Sequence, residues 1–360
     1  MGDAVAEQIA ALQDEDWAIR EDAATALGAL RDPRAVGPLV TLLRDSDRAV
    51  REAAIGALTV LGESAVTALA NCLNDRDLSI QEAASAALAV IADARVAAPL
   101  ITALNSPDWI VRMHAAKALG RIKPLESIEP LIPLLQDKVK AVREEASAAL
   151  AAIGDAAIPS LLNALTHSEW LVRLHAVEAL GKTRSASAVE PLLSALFNDR
   201  DAAIREDAVR ALGQIGDARA VDFLFVVIKE PGLRPLAVES LGQIGDRRAV
   251  PVLINVLNGV DRPEVSRAVD GCGDHWDEEM VAKGAAARAL GVIGDEAAVP
   301  TLLDAMRHTV TRADAAAALV RFGNVVIAPL LTMLAQEADD NLRYHVKDTL
   351  TKVGWRPGRV

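Results

Sequence analysis

Two segments, DWIVRMHAAKALGRI at 108–122 and EWLVRLHAVEALGKT at 169–183, place a tryptophan, an arginine and a histidine at the same offsets. Histidines beside carboxylates suit two kinds of chemistry: a hydrogen-bonded polar cluster, or ligation of zinc or iron by neutral imidazoles. His114 and His175 follow their arginines by two residues, and Glu144 and Glu145 stand in the stretch between the two segments. Trp109 and Trp170 precede the same arginines by three residues. They suit the gripping of a partner, because indoles are enriched at binding hot spots; the alternative is that each plugs a gap between neighbouring elements. Lys117 and Glu178, three residues beyond the histidines, add charge to the same surface. A second concentration of donors comprises Asp270, Cys272, Asp274, His275, Asp277, Glu278 and Glu279, with Trp276 among them. A solvated acidic loop is the expected reading there, and a thiolate activated by histidine the alternative.

The elements that position these residues are repeats. An Arg-x-x-Ala-x-x-Ala-Leu-Gly pattern, seen at Arg20, recurs at Arg51, Gln81, Arg112, Arg143, Arg173, Arg205, Arg234, Lys283, Arg312 and Arg343. The intervals run from 29 to 32 residues and are broken once by 49. Such a period signals stacked supersecondary units rather than one globular core. Each unit reads as two helices. In the second, Ala35 to Arg44 forms the first helix with Pro38 in its first turn; the second starts near Ala49, carries Val50, Ala54 and Leu58 as its buried stripe and ends at Gly62. Asp45, Asp75, Asp137 and Asp199 lie six residues before their marker, placed to pair with it or to cap its helix. Prolines beside Arg234 predict a late or bent start for the second helix of unit eight. The long interval leaves an insertion at 258–280 between the two helices of unit nine, with Pro263 and Glu264 able to open a short helix that Gly271 and Gly273 would break.

The helix pairs, and above all the turns GQIGDARAV, GQIGDRRAV and GVIGDEAAV, resemble HEAT repeats of the short variety found in phycobilin lyase subunits. The resemblance covers almost the whole chain and implies an all-α, right-handed solenoid of about eleven HEAT-like helix pairs, one domain over 1–360, with second helices lining the concave face. It also implies two enzymatic alternatives. One is a bilin lyase or chaperone acting on a phycobiliprotein, in which case the partner is a bilin-carrying protein. The other is a metal-dependent oxygenase like the HEAT-repeat hydroxylases, which use His-Glu dipeptides. Here His114 and His175 are followed by alanine and His345 by valine, so that dipeptide is missing. Likewise Cys272 precedes His275 by three residues, where the lyase loop has histidine directly before cysteine.

Composition narrows the rest. The chain has 360 residues, a net charge of −12, 51% hydrophobic residues and only 3% aromatics. Ala, Leu, Val and Ile therefore build the core, and the acidic balance argues against a groove that hugs a nucleic-acid backbone. No membrane span is expected, since Val221 to Ile228, the most apolar stretch, already contains Asp222. No secretory signal is apparent, and two cysteines imply neither a disulfide framework nor a zinc site, so a cytoplasmic protein without metal or cofactor is expected. These features favour a scaffold, rather than an enzyme, that binds another protein in its concave groove. Trp109, Trp170, His114, His175, Glu144, Glu145, Lys117 and Glu178 form the binding surface, and Cys272, His275 and Trp276 of the insertion flank it.

Overall fold

The computed structural model describes residues 3–230, 232–260 and 274–356, with the side chains of 274–277 excepted. The chain divides into two compact units, Met1–Ala179 and Leu180–Val360. Among the described residues there are helices and turns and no strand.

Unit one contains six helix pairs: α1 (Ala4–Ala11) and α2 (Trp17–Leu30), α3 (Val36–Leu42) and α4 (Arg48–Leu61), α5 (Val66–Cys72) and α6 (Leu78–Ile91), α7 (Ala97–Ala103) and α8 (Trp109–Ile122), α9 (Ile128–Leu131) and α10 (Lys140–Ile153), α11 (Ile158–Ala164) and α12 (Trp170–Thr183). The unit boundary falls inside α12. Unit two continues with α13 (Val189–Asn198), α14 (Ala202–Ile215), α15 (Val221–Val227), α16 (Arg234–Ile244), α17 (Val250–Asn258), α18 (Asp274–Ile293), α19 (Val299–Ala305), α20 (Arg312–Val320), α21 (Ile327–Gln336) and α22 (Asp340–Lys352). The sequence pattern is thus an all-α solenoid of helix pairs.

Alanine and glycine on the second helices set the packing. In α2, Ala23, Ala24 and Leu27 are buried, and in α4, Ala54, Ala57 and Leu58. A Cβ added at Gly28 would fall 2.9 Å from the Ala57 Cα, and one at Gly120 2.8 Å from the Ala149 Cα. The glycine of the Ala-Leu-Gly motif therefore permits backbone contact between second helices. Gly62 and Gly216 do close helices, with φ of 57° and 76°.

Two expectations about aspartate and arginine are corrected. In the first four repeats the carboxylate that caps the second helix belongs to the residue before it: Asp16, Asp47, Asp77 and Asp108 accept from Ala18, Ala49, Ser79 and Ile110 N–H at 3.0, 2.8, 3.0 and 2.7 Å. The aspartate six residues before the marker gives its own marker only a backbone carbonyl, as Arg51 donates to Asp45 O at 2.7 Å. Its side chain accepts instead from the preceding repeat. Arg20 binds both oxygens of Asp45 at 2.8 Å, and Arg112 binds those of Asp137 at 2.8 and 3.0 Å. The ladder thus ties repeat to repeat, and the Arg20 guanidinium holds the Asp45 carboxyl below the usual carboxylate range.

By length and composition Lys140–Ala164 passes as a membrane-crossing helix, contrary to the expectation that no stretch would. Gly154, at φ 81°, breaks it, and its halves are α10 and α11, packed in successive repeats. In unit two α16 starts late, at Arg234 itself. Part of the expected insertion is helix, because α18 begins at Asp274. Its acidic residues are not all solvated as a loop would leave them: Glu278 accepts from Gly232 N–H at 2.6 Å, and Glu279 lies 3.2 Å from the buried Arg234. Pro263, Glu264, Gly271 and Gly273 lie outside the described residues.

Candidate functional site

The candidate surface lies in unit one, on α6, α8, α10 and α12. Asp108 caps α8, so Trp109 becomes its first residue and projects from the turn between helices. There the indole is 41% exposed, and Trp170, first in α12, is 47% exposed. Neither is sealed between repeats.

The marker arginines fix these helix starts. Arg112 donates to the carbonyls of Ser106 and Pro107 at 2.8 and 3.1 Å while gripping Asp137, which precedes α10. The carbonyl of Asp137 accepts from Arg143 at 2.7 Å, and Arg143 Nε donates to His175 Nε2 at 3.1 Å. An arginine has only donors, so Nε2 accepts and the ring proton sits on Nδ1, facing Glu178 Oε2 at 2.9 Å. One continuous chain of polar contacts thus runs across repeats four to six, with His175 buried in it.

His114 is held differently. Its Nδ1 lies 3.2 Å from Ser85 Oγ, and that hydroxyl donates to Glu82 O at 2.8 Å. The serine proton is committed, so the imidazole donates through Nδ1. Burial, and secondarily the charge of Lys117, pushes the His114 pKa down from its ordinary value.

Each histidine therefore bonds backwards, to the repeat before it, and the two are not brought together. Glu144 is exposed and lies 3.4 Å from Lys140 on its own helix; Glu145 is half-buried on the same helix. Lys117 is exposed and Glu178 half-buried. The described residues contain no group of three or more His, Cys, Asp or Glu side chains placed to hold a metal ion. Cys272 lies outside the described residues, as do the side chains of His275 and Trp276. In unit two His345, at the same repeat position, lines a shallow cleft with Ala316, Val320, Asp348 and Lys352. Cys72 is buried in α5, and burial, with Asp75 nearby, pushes its thiol pKa up. Sequence reasoning missed Ser85 and Arg143, because each residue's importance lies in the repeat that follows it.

This is a repeat solenoid whose repeated arginines serve the stack, and whose departures from the pattern divide between the exposed Trp109 and Trp170 and the buried His175. The HEAT-repeat family matches at 5–89, 66–151, 97–168, 158–231, 189–270 and 275–351. The chain belongs to that family. No curated protein matches the chain. Among solved structures, yeast importin-beta (Kap95p) is similar at 16% identity and a TM-score of 0.57, over 97% of this chain and 52% of that one. A Kap121p mutant is similar at 13% identity and 0.63, over 97% and 45%. This chain spans about half the length of those relatives, and at such identities the likeness concerns the fold. The complex of CpcE and CpcF of phycocyanin lyase from Nostoc gives 23% identity over 67% of this chain and 93% of that one, with a TM-score of only 0.36.

Proposed function

We propose that this chain is a scaffold that binds another protein along the second helices of its repeats. The observation that carries the reading is that Trp109 and Trp170, the bulkiest side chains of α8 and α12, stand exposed at helix starts fixed by inter-repeat polar contacts. Large apolar groups left in water on a rigid support are what an interface uses as anchors. A pre-ordered scaffold also reduces the conformational entropy lost on binding. His114, Lys117, Glu144, Glu145 and Glu178 supply the polar selectivity around the anchors, while the buried His175, expected from the sequence on that surface, instead holds Glu178 from beneath.

Affinity capture from native lysate tests this by comparing the wild-type chain with Trp109→Ala/Trp170→Ala, recording absorption spectrum and metal content of both eluates. The expected result is a protein retained in stoichiometric amount by the wild type and lost by the variant. A retained bilin-carrying protein or free pigment would favour the lyase alternative, and bound metal without protein the oxygenase.

A further inference from the structure

The second helices of unit one open, in repeat order, with Trp17, Arg48, Leu78, Trp109, Lys140 and Trp170. These residues occupy one position of the repeat and form a row. Trp17 and Leu78 are 48% and 42% exposed, much as Trp109 and Trp170 are, and the side chains of Arg48 and Lys140 stand further out still. Every neighbouring pair of repeats along the row is tied by a side-chain contact near the helix starts: Arg20 to Asp45, Arg44 to Asp75, Ser106 to Gln81, Arg112 to Asp137, and Arg143 to His175. The spacing of the row is therefore fixed by the stack.

Packed helices stand about 10 Å apart. A polyproline helix advances about 3.1 Å per residue and turns once every three, so every third residue of such an extended chain lies on one face and meets one member of the row. An amphipathic helix needs an apolar stripe about 100° wide, and the row is one residue wide. Charge selects further. Arg48 and Lys140 pair with Glu52 and Glu144 of their own helices, at 2.6 and 3.4 Å, in exposed pairs that an incoming carboxylate displaces readily. Asp16, Asp47, Asp77 and Asp108 cap backbone N–H groups and keep their charge beside the row, which disfavours a partner carboxylate anywhere but opposite Arg48 and Lys140.

We propose that this row binds an extended acidic segment of a partner protein, which presents at every third residue an apolar, acidic, apolar, apolar, acidic and apolar side chain in turn. The assignment rests on the scaffold reading above and specifies its partner.

A synthetic peptide of that pattern, a scramble of it, and a copy with lysine at the two acidic positions are titrated against the full chain, followed by tryptophan fluorescence and circular dichroism. The patterned peptide should bind at least about tenfold more tightly than the other two, without gaining helix, because charge and register both discriminate. In Arg48→Glu/Lys140→Glu the preference should pass to the lysine peptide. Equal binding of pattern and scramble, a bound peptide that turns helical, or an unchanged preference in the charge-reversed chain would overturn the assignment. If any of these occurs while Trp109→Ala/Trp170→Ala still abolishes partner capture, the scaffold reading stands without it.

Discussion

The fourth and sixth repeats carry nearly the same segment, yet their histidines end in unlike surroundings. His114 is half-buried against the Ser85 hydroxyl, and His175 is buried between Arg143 and Glu178. The difference originates one repeat earlier. The marker position of repeat three is Gln81, which donates to Asp75 O and accepts from Ser106 at the turn of repeat four, whereas that of repeat five is Arg143, whose Nε donates to the histidine of the next repeat, His175. In a stacked protein the environment of a side chain is written in the neighbouring repeat as much as in its own.

Arg143→Ala leaves His175 Nε2 and Asp137 O without their donor, and should cost about 2 kcal/mol in urea unfolding, since a buried polar group left unsatisfied costs about 1–3 kcal/mol. Gln81→Ala leaves the Ser85–His114 contact in place and should cost roughly half as much. Equal losses would mean that the two histidine sites are energetically alike. A smaller effect concerns acid. The folded chain disfavours protonation of His114, so below its ordinary pKa of 6.5 the unfolded chain takes up a proton that the folded one resists. Stability from this group is present above pH 6.5 and is lost as pH falls towards the folded value. Thermal melts of His114→Gln against wild type should therefore converge or cross as pH drops through that window; parallel curves would deny the effect.

The repeat, its helix pairing and the late start of α16 were legible from residue types, because period, prolines and apolar stripes are local signals. The direction of the Arg–Asp ladder was not, since Asp45 is six residues from Arg51 and twenty-five from Arg20, and only the stacking makes the distant one the partner. The same holds for Glu279, whose charge cluster looks like a solvated loop until the buried Arg234 of the preceding repeat comes beside it. The exposure of Trp109 and Trp170 was equally undecided, because an indole at a repeat edge serves packing or binding with the same sequence.

Urea unfolding of Trp109→Ala/Trp170→Ala separates packing from binding at these two positions directly. Anchors held out for a partner contribute little to the isolated chain, so the double variant should lose less than about 1 kcal/mol relative to wild type. A loss of several kcal/mol, of the size that follows truncation of a buried aromatic, would make the indoles part of the stack and contradict their assignment to a partner.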